Sequence, residues 1–176
     1  MDAEKNKLGL IHIYTVEGKG KTSAGMGLVV RALGRGLKVK IIQLFKRNTG
    51  EQFFFENSGV PYLQFKPLHP YFKNYHQEEL SSLKKEVEKF LRDSISDMSE
   101  YDLILIDELG PGVNWGMVSE DVALEIIARK PEKTELILTG RDYPKSLIEK
   151  ADYVSDIHKE KHPYDSGILA RKGIEF

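Results

Sequence analysis

Apolar positions recur along this chain with two different periods. Leu8 to Tyr14, Val39 to Phe45 and Tyr101 to Ile106 are apolar almost throughout, as expected of strands covered on both faces. Tyr62 to Phe65, Glu135 to Leu138 and Tyr153 to His158 read as further strands. Between them the spacing changes to that of a helix. From Thr22 to about Leu33, Ala24, Leu28 and Ala32 mark one face, the small Gly25 and Gly27 suit close packing on a sheet, and Gly34 to Gly36 ends the segment. Gln77 to about Met98 is the clearest amphipathic helix, with Leu80, Leu83, Val87, Phe90, Leu91, Ile95 and Met98 on one stripe. Ser119 to Ala128, opened by capping chemistry, and Pro144 to Lys150 are shorter helices. Strands alternating with helices predict an α/β fold, a mostly parallel sheet with helices on both faces.

Two stretches break this alternation. Between Phe53 and Tyr75 stand Phe53, Phe54, Phe55, Tyr62, Phe65, Tyr71, Phe72 and Tyr75, interleaved with Pro61, Pro67 and Pro70. Proline excludes regular structure over Pro67 to Phe72, leaving an aromatic loop in which Tyr71 and Phe72 can form a hydrophobic wall for a large, flat ligand. Leu109 to Gly116 reads as a glycine-rich loop carrying the one tryptophan, Trp115.

Composition narrows the classes. The 176 residues, 40% hydrophobic and 30% charged, suit one compact domain over 1–176, with 1–7 a flexible arm and 159–176 a tail or lid. A formal net charge of -1 gives no general attraction to nucleic acid or to an anionic membrane, so any cationic site is local. The absence of cysteine excludes disulfides, thiolate metal sites and cysteine nucleophiles, and fits a reducing compartment. The start lacks an apolar signal core and no uncharged apolar stretch approaches about 18 residues, so a cytoplasmic protein is expected. The five histidines are too scattered for a metal cluster, and His12 reads as a hydrogen-bonded strand residue.

The chemistry concentrates where the first strand meets the first helix. Glu17-Gly18-Lys19-Gly20-Lys21-Thr22-Ser23 is a strand-to-helix turn whose glycines expose successive backbone N–H groups. The helix start adds unpaired donors and positive dipole, and Lys21 adds a cation, which together make a cradle for a polyphosphate. The spacing Gly-x-x-x-x-Gly-Lys-Ser/Thr is met at Gly20-Lys21-Thr22, with Thr15 at the first glycine position. Ligands gather at the carboxyl ends of parallel strands. There stand Lys46, a site cation or a solvated loop lysine; Asp107 and Glu108, two carboxylates suited to magnesium together with Thr22; and Arg141, a phosphate contact or a salt-bridge partner of Asp142 or Glu108. Arg31, on the first helix, is solvated charge or a nucleotide contact.

Taken together, these strings resemble the ATP:corrinoid adenosyltransferases of the cobalamin pathway over essentially the whole chain. The matching runs are Glu17 to Thr22, Arg31 to Gly36, Gln43 to Lys46, Asp107-Glu108-Leu109, Thr139-Gly140-Arg141, Ala151-Asp152, and Lys161-His162 through Gly173-Ile174. The resemblance implies a RecA-like P-loop fold, a homodimer, and transfer of the 5′-deoxyadenosyl group of ATP to the reduced cobalt(I) of a corrinoid, releasing triphosphate. It implies that Gly18 to Thr22 hold triphosphate, that Thr22 and Glu108 hold Mg2+, that Arg141 contacts phosphates, and that a reductant protein can serve as partner. Where the family places a phenylalanine and a tryptophan near the cobalt, this chain has Tyr71-Phe72-Lys73, and Trp115 is an alternative aromatic. Two other classes share parts of the pattern: a P-loop ATPase or kinase, which would release ADP, and a RecA-like nucleic-acid module, which the charge balance does not support.

Overall fold

In the computed structural model, which describes residues 8–70 and 73–176, six strands form one sheet. They are β1 (Ile11–Thr15), β2 (Val39–Leu44), β3 (Tyr62–Phe65), β4 (Leu103–Asp107), β5 (Glu135–Thr139) and β6 (Tyr153–Asp156). Their order is β3-β2-β4-β5-β1-β6 and every neighbouring pair is parallel. The strand that feeds the phosphate cradle and the strand that ends in Asp107 are therefore separated by β5.

Alternation along each strand sends successive side chains to opposite faces, and each face has its own helices. Ile13, Ile42, Leu44, Ile104, Ile106 and Leu138 pack with Leu83, Val87 and Leu91 of α3 (Gln77–Ser94) and with Val122 and Ile126 of α5 (Glu120–Arg129). Ile41, Leu103, Leu105 and Ile137 pack with Met26, Val29 and Ala32 of α1 (Lys21–Leu33) and with Phe55 of α2 (Gly50–Phe55). Each fully buried Ile or Leu contributes about 1.5–3 kcal/mol over leaving it in water, so the fold rests mainly on this two-sided burial. Gly25 lies against the side chains of Leu105 and Thr139, where α1 comes close to the sheet.

Several boundaries differ from the sequence expectation. The first strand begins at Ile11 because the Gly9 and Leu10 amides turn aside to Glu135 Oε2, at 2.7 and 3.0 Å. The second ends at Leu44, since Phe45 has a left-handed φ of 56° that swings the chain out of the sheet. The long helix stops at Ser94, and Ile95 and Met98 keep its apolar stripe buried through a following 3-10 turn at Met98–Glu100. Leu109 to Asn114 is a short helix, α4, and not a loop. Its glycines are packing residues: a side chain on Gly110 would collide with the Arg141 carbonyl and the Tyr143 ring. The Gly50–Phe55 helix was hidden by its aromatic composition. Ser119 caps α5 without a side-chain hydrogen bond; its backbone N–H donates to Glu88 Oε1 at 2.9 Å. The fourth expected helix is reduced to α6 (Lys145–Ile148), and β6 is an edge strand exposed along its length. Among the described residues no helix is long and apolar enough to cross a membrane.

Candidate functional site

Near their carboxyl ends β2, β4 and β5 each carry a buried polar residue, and the register brings these together. Gln43 of β2 stands opposite Asp107 of β4, while Thr139 ends β5; all three are fully buried. Asp107 accepts hydrogen bonds at both oxygens: Oδ1 from Thr22 Oγ1 at 2.9 Å and from Thr139 Oγ1, Oδ2 from Gln43 Nε2 at 3.0 Å and from Lys46 Nζ at 3.0 Å. Burial disfavours its charge, but the Lys46 ammonium and these donors outweigh it and hold the carboxyl below its usual range. Gln43 is fixed in turn by Tyr62 Oη at 2.7 Å and Gln64 Nε2 at 2.9 Å, both donating to its Oε1.

The phosphate cradle stands beside this cluster. Gly20 precedes α1 with φ 120°, a conformation that side chains resist, and Gly18 lies so close to the chain after β6 that a side chain there would overlap the Ile157 carbonyl. Lys21 is buried, its Nζ donating to the Gly18 carbonyl at 2.6 Å across the turn. Desolvation, then the Arg141 and Lys46 charges, push the Lys21 pKa down. A buried lysine whose charge is opposed by neighbouring cations is what a polyanion would relieve.

Lys46 reaches the centre of the arrangement. Its Nζ lies 2.8 Å from Thr22 Oγ1, 3.0 Å from Asp107 Oδ2 and 2.7 Å from Glu108 Oε1. The two carboxylates hold it protonated well above the ordinary lysine range in spite of burial. Glu108 adopts a left-handed φ of 66°, unusual for a side-chain-bearing residue, and its partly exposed carboxylate faces the cleft. The turn after β5 is tied down by Tyr143, whose Oη donates to the Thr139 carbonyl at 2.8 Å and whose burial keeps it neutral.

These groups line one cleft of about 520 Å³. Glu17, Gly18, Lys19, Gly20, Lys21, Thr22, Ser23, Lys46, Glu108 and Arg141 all face it, so the sequence brought nearly the whole set to one place. Among the described residues Arg141 forms no ion pair with Asp142 or Glu108, whose carboxylate is held by Lys46. Arg31 is the exception: it sits exposed in the last turn of α1, ten residues or about 15 Å from the helix start, and does not line the cleft. Asp107 lies beneath the cleft wall with both oxygens engaged. Tyr71 and Phe72 lie outside the described residues. Trp115, about half exposed at the end of α4, meets the buried His69 edge-to-face at 5.0 Å, and His69 meets Phe45 in the same way. Burial lowers the His69 pKa, leaving the ring neutral at pH 7.

Four contributors were given no site role in the sequence reading. Thr49, at the head of α2, lines the cleft with its hydroxyl buried and without a hydrogen-bond partner among the described residues. Gln43 and Thr139 had a readable signal, each being polar within an apolar strand. The chain end was read as a tail or lid without a site role: His162 and Gly173 to Phe176 also line the cleft, and Glu175 accepts from Lys19 Nζ at 2.7 Å and pairs with Arg171 at 3.0 Å.

A family model described as ATP:corrinoid adenosyltransferase BtuR/CobO/CobP matches residues 7–176. The chain belongs to this family. Its relatives include corrinoid adenosyltransferases of Escherichia coli strain K12 (30% identical, covering 98% of this chain and 88% of the relative) and Pseudomonas aeruginosa (30%, 98% and 86%). One from Sinorhizobium is 31% identical, covering all of this chain and 84% of the relative. The family's description makes ATP a co-substrate.

Proposed function

We propose that the cleft binds ATP by its triphosphate and presents the ribose C5′ to the cobalt(I) of a reduced corrinoid. The cobalt lone pair attacks C5′, a cobalt–carbon bond forms, and the C5′–oxygen bond breaks with its electron pair leaving on triphosphate. No side chain has to act as nucleophile. The observation that carries this reading is the convergence of Lys21, Lys46 and Arg141 on one cleft, which suits a leaving group that gains charge as the bond breaks. Membership of the adenosyltransferase family supplies the acceptor.

The residues divide the work. Gly18 to Thr22 hold the phosphates with backbone N–H groups and Lys21, and Arg141 closes on them from β5. For Mg2+, the available donors are hard oxygens, and among the described residues no group of three or more His, Cys, Asp or Glu could hold a metal. Thr22 and Glu108 with phosphate oxygens and water fit an ion that takes few protein ligands. Bound there, Mg2+ would neutralise part of the triphosphate charge. Asp107, with both oxygens occupied, orients the Thr22 hydroxyl. Trp115, together with Tyr71 and Phe72, would give the corrinoid an apolar wall that keeps water from the reduced cobalt. A homodimer, an external reductant and a cytoplasmic location belong to the same reading; the exposed Phe53, Phe54 and Val30 offer apolar surface for a second protomer.

Anaerobic incubation with Mg-ATP and chemically reduced corrinoid tests this. Growth of the light-sensitive adenosyl-corrinoid spectrum is the expected result; an unchanged corrinoid with ADP accumulating would make the protein an ATPase or kinase.

A further inference from the structure

Lys46 occupies the point at which Thr22, Asp107 and Glu108 converge, at 2.8, 3.0 and 2.7 Å. A hydroxyl and a carboxylate of this set are the oxygens to which Mg2+ is assigned above, and the inference rests on that assignment. Magnesium would need Thr22 and Glu108 oxygens at about 2.0–2.1 Å. An ion so placed would stand within a few ångströms of the ammonium, and two cations cannot share so small a locus. One must leave for the other to enter. The lysine stem is long and flexible, so Nζ is the group able to move, and a triphosphate entering beside Gly18 to Thr22 would offer it new oxygens nearby.

We propose that Lys46 is a resident counter-ion of the metal locus, which exchanges places with Mg2+ only when triphosphate arrives to receive its ammonium. Without nucleotide it neutralises the buried Asp107 and keeps the Thr22 hydroxyl in place. It also bars free divalent cations, so the protein selects the metal–nucleotide complex over the metal alone. With nucleotide, the displaced ammonium becomes a third cation on the phosphates, beside Lys21 and Arg141. Lys46 is thus a positioning residue with one partner set in each state.

The probe is Mn2+ alone, without ATP or corrinoid, followed by the loss of the free-ion electron paramagnetic resonance signal. The wild-type chain should take up little Mn2+, whereas Lys46→Met should bind it at least about tenfold more tightly, a gap of ~1.4 kcal/mol. Lys46→Gln, which keeps a donor without the charge, should gain in the same direction and serves if the methionine variant fails to fold. Adding Glu108→Gln to either variant should remove the gained site. Mn2+ bound by the wild type as tightly as by a folded Lys46 variant would overturn the proposal, as would a folded variant that gains no binding. Mn-ATP tests the underlying metal assignment separately: if Thr22→Ala in the wild-type chain leaves Mn2+ coordination in the nucleotide complex unchanged, that assignment fails, whatever free Mn2+ does.

Discussion

Single residues decide the chemistry of this protein. Lys21 is buried and held across the turn of the cradle, so Lys21→Ala removes a charged donor from the phosphates without opening the core. ATP binding, measured with a fluorescent analogue, should weaken about 10- to 100-fold, the range expected for a hydrogen bond to a charged group. Asp107 makes a different prediction. Its folded-state pKa lies below the ordinary value of about 3.9, so its charge stabilises the fold at every pH above that and ceases to do so as pH falls through the lowered value. Asp107→Asn should therefore cost about 3 kcal/mol in urea unfolding near neutral pH, and the gap to wild type should narrow below about pH 4. A gap that stays constant with pH would mean the aspartate contributes through shape and not charge. Much at this scale was legible in the sequence, because cradle and strand-end residues are fixed by chemistry and position along the chain. Arg31 was not, because a helix carries its far end away from a site at its start. Thr49 was not, because an exposed and a buried threonine look alike until the helix that follows it is known.

Elements are where the apolar pattern acts. The period of α3 put Leu83, Val87 and Leu91 on one stripe, and these pack fully buried against the sheet. Leu91→Ala should lower stability by about 2–5 kcal/mol through lost burial and the cavity left behind, whereas Lys85→Ala on the exposed face should stay within about 0.5 kcal/mol. Equal melting temperatures for the two variants would contradict the assigned faces. The pattern failed where packing overrode propensity. Gly110 and Gly112 look like loop residues, yet they lie inside α4 because the turn after β5 and the Phe45 ring leave no room for side chains. Glu108, the residue just before that helix, lines the cleft.

At the scale of the whole molecule, the sheet order brings together residues far apart in sequence, and the last stretch of chain completes the cleft. Glu175 is held ionised by Arg171 first and by Lys19 second, linking the tail to the cradle. Truncation after Lys172 removes residues 173–176 from the cleft wall and should weaken ATP binding several-fold in calorimetric titration while the melting temperature changes little, since these residues are exposed. Unchanged binding would exclude the tail from the nucleotide site. The sequence offered it only as a tail or lid because it is polar and irregular, and its neighbours in space lie some 150 residues earlier in the chain.

The central claim is that the cradle holds a leaving group and not a phosphate under attack. Phosphorus magnetic resonance of an anaerobic reaction with Mg-ATP and cobalt(I) corrinoid tests it most directly. One inorganic triphosphate released for each cobalt–carbon bond formed is the predicted result; ADP and phosphate appearing in step with turnover, with no triphosphate resonance at any time, would contradict it.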